Sequence, residues 1–282
     1  SLACCGRVPV IAIGDGFVSP PAELAEFPLI HRNGTRPFDH MAALEAVNRV
    51  QAARGKPAVS TLPRAVGGTM QIVCTYPEMG VYRRRSPAHA TGPFAPPPSA
   101  SPPPAQHRIF FYLAADYPPT WQVIKAIAES GLPAHGYIRS ASRKRLDAFV
   151  RDGLVFYDEP LPIQQALSDS TAILHHGGIG TSEAAIAGGR PQLLVPRHLE
   201  QLMNAKALMS LGVAIVLATP FKDEAALAAI GGLRTNRSLY AAADRVGRQI
   251  ARREHGRSAQ ILLEACRQFA TGAQAAAEWA RW

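Results

Sequence analysis

From Arg108 onward, short and nearly continuous apolar runs alternate with longer stretches whose apolar residues recur at helical spacing. The runs Arg108–Ala114, Ala134–Arg139, Leu154–Tyr157, Thr171–His175, Gln192–Val195 and Val213–Leu217 read as buried strands. Helices fit between them at Thr120–Ser130, Ser142–Arg151, Ile163–Leu167, Thr181–Ala187 and Glu200–Ser210. Three more helical stretches close the chain, at Glu224–Ala229, Ser238–Arg253 and Ser258–Trp282. Strand-helix alternation with apolar strands predicts a parallel sheet covered on both faces. Ligands of such sheets bind beyond the carboxyl ends of the strands.

The first third has a sparser pattern. Val8–Ile13 and Gln71–Thr75 read as short buried strands, and Gly14-Asp15-Gly16 ends the first in a tight turn. Phe38–Arg54 reads as a helix with Met41, Leu44, Val47 and Val50 turned inward and Glu45 and Arg49 turned to solvent. Two strands are too few to close a sheet. Between the two textures, Gly92 to Pro104 holds seven prolines and little that can pack, the composition of a stiff linker.

Composition narrows the classes. At 282 residues, 47% hydrophobic and 18% charged, the chain can fill a sizeable core. Its longest uncharged apolar run, Ala207 to Phe221, is interrupted by Ser210, Gly212 and Pro220 and is too short to span a bilayer. Cys4, Cys5, Cys74 and Cys266 form neither a disulfide framework nor a zinc-ligand spacing, which fits a reducing cytoplasm. The net charge of +9 gathers around Arg83-Arg84-Arg85, Arg143-Lys144-Arg145 and Arg245 to Arg257. No stacking aromatics are interleaved with those arginines, so nucleic acid is not an expected partner. An anionic small substrate, or peripheral contact with an anionic membrane surface, would use the same charge.

The densest chemistry lies from Ala172 to Gly212. A strand runs into Gly177-Gly178-Ile179-Gly180, and a helix is expected to open at Thr181-Ser182. Glycines let main-chain amides approach an anion, and a helix N-terminus completes a phosphate cradle. A plain turn with Thr181 as N-cap would leave the same trace. The loop is neither a dinucleotide fingerprint nor a P-loop, which lacks its Lys here. Glu183, placed in the first helical turn, would be repelled by phosphates unless it reached past them to neutral hydroxyls such as a ribose diol. His175 and His176 end the strand and face opposite sides. His176 adjoins the glycines and is the expected phosphate donor, whereas His175 reads as a core histidine. Glu200-Gln201 follow the next strand and can accept from and donate to sugar hydroxyls, or simply begin a helix.

Taken together, His175-His176-Gly177-Gly178, Gly180-Thr181, Glu183-Ala184, Gly188, Pro191, Pro196, Glu200-Gln201, Asn204-Ala205 and Leu211-Gly212 resemble the donor-binding signature of glycosyltransferase family 1. Weaker likenesses lie at Val10–Pro21, where Asp15 replaces a usual Thr, at Gly92-Pro93-Phe94, and at Asp158-Glu159-Pro160-Leu161-Pro162. The resemblance implies the α/β GT-B fold of two Rossmann-like domains, the first incomplete and the second a complete doubly wound parallel sheet. Residues 1–92 would close an acceptor-binding domain, 93–107 would be the linker, and 108–282 would bind the nucleotide-sugar donor. The last helix would return to the first domain, anchored by Trp279 and Trp282.

The same resemblance implies site roles. His176, Gly178, Gly180, Thr181 and Ser182 would hold the donor diphosphate, supported by Asn204. Glu183 would bind the ribose, Leu161 would lie near the base, and Glu200 and Gln201 would read the transferred sugar. The activity implied is inverting transfer of a hexosyl group from a UDP- or TDP-sugar to a hydroxyl on a small molecule or lipid, with no metal and no cofactor beyond the sugar donor. The family's catalytic His-Asp pair is expected in a segment before Ser1, since His31 and His40 come too late in the domain. Two rivals stand beside this reading: a non-catalytic nucleotide-sugar-binding piece, and a transferase acting at a membrane surface on a lipid acceptor.

Overall fold

A computed structural model describes residues 9–28, 38–83, 90–98 and 102–270. The chain divides into two compact units, residues 1–95 with 256–282, and residues 96–255. Among the described residues, no helix is long and apolar enough to cross a membrane.

In the first unit, β1 (Ile11–Gly14) pairs in parallel with β2 (Met70–Val73), Ile11 opposite Met70 and Gly14 opposite Val73. After β1, Asp15 folds the chain back by accepting from the amides of Phe17 and Val18 at 2.8 and 3.0 Å. Between the strands lie α1 (His40–Ala53) and α2 (Leu62–Gly67). Asp39 caps α1 through the amides of Met41 and Ala42, and Thr61 caps α2 through that of Arg64.

The face assigned to α1 needs correction. Met41 is 62% exposed and Val50 52%, while His40 and Gln51 are buried. Asn48 exchanges two hydrogen bonds with the main chain of Val59, and Gln51 donates to Pro57 O, so the helix buries amides that satisfy the following loop. α2 lies where the sequence pattern assigned no element; Pro63 is tolerated in its first turn.

The second unit holds a six-stranded, wholly parallel sheet. In chain order its elements are β3 (Ile109–Ala114), α3 (Pro119–Ser130), β4 (Ala134–Arg139), α4 (Arg143–Asp147), β5 (Leu154–Phe156), α5 (Ile163–Ser168), β6 (Ala172–His175), α6 (Ile179–Ala187), β7 (Gln192–Leu194), α7 (Leu199–Ser210), β8 (Ala214–Val216), α8 (Asp223–Thr235) and α9 (Arg237–Ala251). The strand order is β5-β4-β3-β6-β7-β8. The chain leaves β3 in one direction and returns to its other side with β6, so the topological switch point lies between those strands.

Strand parity divides the core. Ile109, Phe111 and Leu113 join Leu174 and Leu193 under α3 and α8, while Phe110 and Ile173 pack beneath α5 and α6. Leu161 packs against this second cluster.

Two helices of the second unit differ most in length from the sequence pattern. The one expected to reach Arg151 ends at Asp147, because the Arg151 guanidinium turns inward to the carbonyls of Ile127 and Leu132 at 2.9 and 2.6 Å. The one expected to end at Ala229 runs through Gly231-Gly232 to Thr235. There the missing side chain serves packing, since a Cβ on Gly232 would sit 2.9 Å from Ile215 Cδ1 of β8.

The chain returns to the first unit with α10 (Arg257–Ala270), where Ser258 is hydrogen-bonded to the Thr91 hydroxyl and to Gly92 O. Trp279 and Trp282 lie outside the described residues, as do Cys4, Cys5, His31, Arg84 and Arg85.

Candidate active site

At the switch point, the carboxyl ends of β3 and β6 border a cavity of about 120 Å³. Tyr112, Leu113 and Ala114 supply one wall, His175 and His176 another, and Gly178 and Thr181 the floor at the start of α6. Arg139, Arg197 and Gln201 complete the rim.

The glycine loop is shaped by different demands at each position. Gly177 has φ +93°, and a Cβ there would meet Gln201 O at 3.0 Å, so the fold itself requires glycine. Gly178 and Gly180 have ordinary backbone angles, and a Cβ on either would meet nothing within 4 Å. Their missing side chains leave open space above the helix start. α6 begins at Ile179, with Gly178 as N-cap residue and no side-chain cap. The amides of Ile179, Gly180 and Thr181 therefore lack intrahelical acceptors and carry the positive end of the helix dipole.

That helix begins two residues earlier than the sequence pattern indicated, which moves the residues behind it. Thr181 is not an N-cap; it is the third helical residue, at the cavity floor. Ser182 turns into the protein, 0% exposed, and among the described residues its hydroxyl has no hydrogen-bond partner. It does not line the cavity as a diphosphate ligand on the cavity wall would. Glu183 falls in the second turn rather than the first, is buried, and is engaged within the fold.

The histidines are both structural in their bonding. His175 Nδ1 accepts the Gly177 amide at 3.1 Å, which puts the ring proton on Nε2, 2.9 Å from Gln192 Oε1. Gln192 passes the connection on by donating to Ser182 O at 3.2 Å. Loop, strand and helix are thus tied by one buried polar chain. His176 Nε2 accepts the Ala114 amide at 3.0 Å, so Nδ1–H donates to Val195 O at 2.9 Å. As it sits, the His176 ring joins the ends of three strands and has no N–H left for an anion, contrary to its expected role as phosphate donor. Both rings are held neutral: burial pushes each down to about 4, opposed for His175 by Gln192 and for His176 by the Val195 carbonyl.

Asn204, buried in α7, donates to Gly177 O at 3.0 Å and holds the loop from below. Gln201 lines the cavity, and its Oε1 reaches back to the Arg197 amide at 2.9 Å, leaving its NH₂ as the group able to donate. Glu200 lies in the first turn of α7 and, like Leu161, does not line the cavity. Among the described residues, no cluster of three or more His, Cys, Asp or Glu is arranged to hold a metal ion.

Three contributors escaped the sequence reading: Gln192, Arg139 and Arg197. Arg139 ends β4 and Arg197 lies in the loop after β7, both at the ligand-binding edge of the sheet. A charged residue just beyond a buried strand is the signal that marks them.

The chain is similar to known glycosyltransferases. Residues 145–263 match the family described as erythromycin biosynthesis protein CIII-like, C-terminal domain. The chain is 31% identical over 124 residues to L-demethylnoviosyl transferase of Streptomyces niveus, covering 44% of this chain and 29% of that one. It is 39% identical over 59 residues to elloramycin glycosyltransferase ElmGT of Streptomyces olivaceus, 21% of this chain and 15% of that one. The matched part spans less than a third of either relative. Among solved structures, the calicheamicin glycosyltransferase CalG4 superposes with a TM-score of 0.70 at 18% identity, over 96% of this chain and 72% of its own. The glycosyltransferase VinC, solved in complex with dTDP, does so with a TM-score of 0.58 at 22% identity, over 80% and 59%. Residues 145–263 thus match the erythromycin biosynthesis protein CIII-like C-terminal domain family, and the chain has the α/β fold of the GT-B glycosyltransferases.

Proposed function

We propose that residues 96–255 bind the donor of an inverting glycosyltransferase, a hexose carried on a uridine or thymidine diphosphate. The observation that carries this reading is the pair Gly178 and Gly180, whose absent side chains leave room over three unsatisfied amides at the switch point of the sheet. An anion of two linked phosphates fits such a place. The dTDP named with VinC supports a nucleoside diphosphate, and the antibiotic glycosyltransferases among the relatives support a small-molecule acceptor. A lipid acceptor at a membrane surface is the finer alternative.

In this reading the amides of Ile179, Gly180 and Thr181 meet the diphosphate, and Glu183 takes the ribose. Gln201 donates to the sugar from its free NH₂. The reaction breaks the bond between the anomeric carbon and the diphosphate oxygen and forms one to the acceptor oxygen from the opposite face. The acceptor proton passes to a general base, a role given to none of the described residues. The negative charge that grows on the departing diphosphate is stabilised by donors already in place, which is how such a site lowers the barrier.

Calorimetric titration with UDP, TDP and GDP tests the reading, with Glu183→Ala as the companion. Micromolar binding of one diphosphate, weakened in the variant, is expected. Absence of binding to all three, from a chain with a cooperative unfolding transition, overturns it.

A further inference from the structure

We infer that Arg197 and Arg139 form the cationic half of this anion site, with Asp116 as the residue that positions Arg197, so that the site discriminates by phosphate charge. The inference rests on the diphosphate reading above and assigns roles that the glycine motif does not contain.

Arg197 is held at both ends. Its amide donates to Gln201 Oε1 at 2.9 Å, and its Nη2 reaches Asp116 Oδ2 at 2.8 Å. The guanidinium lies 5.6 Å from the ring centroid of Tyr117, and the Tyr117 hydroxyl donates to Pro196 O at 2.9 Å. A guanidinium carries five N–H donors. Asp116 takes one of them, and among the described residues no other acceptor takes the rest. The side chain is only 24% exposed and borders the cavity, whereas the Asp116 side chain is 63% exposed and does not border it. The carboxylate therefore grips the guanidinium from outside and leaves its remaining edge for the cavity.

Arg139 ends β4, separated from β7 by β3 and β6, and lines the same cavity. It is exposed, and among the described residues it has no ion-pair partner. Among the described residues, no Asp or Glu lines the cavity that the two arginines border. An exposed ion pair adds little to folding, so the arrangement is poorly explained as a stabilising device. It is well matched to an anion, because a planar guanidinium grips phosphate oxygens in pairs. Main-chain amides supply direction but only partial charge. Two whole positive charges favour the ligand with more phosphates.

The test uses inorganic pyrophosphate and inorganic phosphate as probes free of base and sugar, titrated into the chain and into Arg197→Ala, Arg197→Lys, Arg139→Ala, Asp116→Ala and the Arg197→Ala/Asp116→Ala double variant. Pyrophosphate binding should weaken roughly tenfold or more in Arg197→Ala, and phosphate binding by less. Arg139→Ala should shift the same way, and Arg197→Lys should restore only part of the loss. Asp116→Ala should weaken pyrophosphate binding, and the double variant should be no weaker than Arg197→Ala alone. Thermal unfolding without ligand should stay within a few degrees for every variant. Unchanged pyrophosphate binding in either arginine variant overturns that arginine's role. Tighter binding in Asp116→Ala overturns positioning, since the carboxylate would then be a competitor. If the unaltered chain is folded and binds neither pyrophosphate nor any nucleoside diphosphate, the diphosphate reading falls as well.

Discussion

Asn204 Nδ2 donates to the carbonyl of Gly177 at 3.0 Å, joining two residues 27 apart in sequence inside the buried part of the second unit. Gly177 has φ +93° and lies between β6 and α6, so its carbonyl has no place in either element's ladder. Asn204 is what satisfies it. Removing the amide leaves a buried acceptor unpaired, at about 1–3 kcal/mol. Asn204→Ala should lower the urea midpoint accordingly. It should also weaken diphosphate binding, because the loop above loses its support. Asn204→Asp should destabilise more, since a carboxylate would then face a carbonyl oxygen.

Gly178 and Gly180 separate ligand demands from folding demands. A Cβ at either meets nothing, and neither has a positive φ. Alanine there should leave the chain as stable as before, or up to about 1 kcal/mol more stable through the unfolded state. Binding of a nucleoside diphosphate should nevertheless drop, because the new methyl groups stand where the ligand comes closest. Gly177→Ala should behave in the opposite manner, with lost stability as its first effect. Parallel unfolding and titration of the three variants checks the contrast.

Ser182 supplies a sharper test of hydroxyl roles. Its Oγ is fully buried, with no partner among the described residues. An unpaired buried hydroxyl is a cost that alanine removes. Ser182→Ala should therefore be neutral to about 1 kcal/mol stabilising by urea unfolding, with diphosphate affinity unchanged. A tenfold loss of affinity would restore the hydroxyl to the diphosphate.

These outcomes show where sequence was informative. The six strands of the second unit lie within a residue or two of the apolar runs, because buried parallel strands are almost purely apolar and their limits are visible. The glycine loop was equally legible, since Gly177 answers to backbone geometry that only glycine adopts easily. Direction was harder. Ser182 and Thr181 are both hydroxyl residues, and only the true start of α6 at Ile179 shows that one faces the cavity and the other the core. In α1, the apolar spacing turned Met41 and Val50 inward although both are exposed, because Gln51 is buried and Asn48 half-buried to satisfy a loop that lies later in the chain. Arg139 ends β4 and Arg197 follows β7, and only the sheet order brings both to one cavity.

Gly247 of α9 packs against the turn after α6. A Cβ there would lie 2.8 Å from Gly189 Cα and 3.2 Å from Ile186 O, both main-chain atoms that cannot swing aside. Alanine usually stabilises a helix interior by about 1 kcal/mol over glycine. Here the clash should win, because forcing a methyl into a filled contact costs about 1–3 kcal/mol. Gly247→Ala should lower stability in urea, while Gly231→Ala in α8, where a Cβ meets nothing, should raise it.

The last prediction concerns acid. His135, His175 and His176 are each pushed down to about 4, chiefly by burial, with Arg108 adding to the effect on His135. In the unfolded chain the same rings titrate near 6.5. Between those values the unfolded chain binds protons that the folded chain refuses, so stability rises with pH across that window. It is fully present above about 6.5 and is lost as pH falls towards about 4. Each ring contributes on the order of 1–3 kcal/mol to that loss. Urea midpoints should be flat from pH 8 to 7 and drop steadily below 6.5. His135 offers the single-group check, because it is buried and its ring packs edge-on against Phe110. His135→Phe keeps a ring in that place and removes the titration. The lost Tyr157 hydroxyl bond should lower its stability at pH 7, but from pH 7 to 5 it should lose less than the unaltered chain. An identical slope in both chains would assign the acid sensitivity to the other histidines pushed down by burial, His107, His175 and His176.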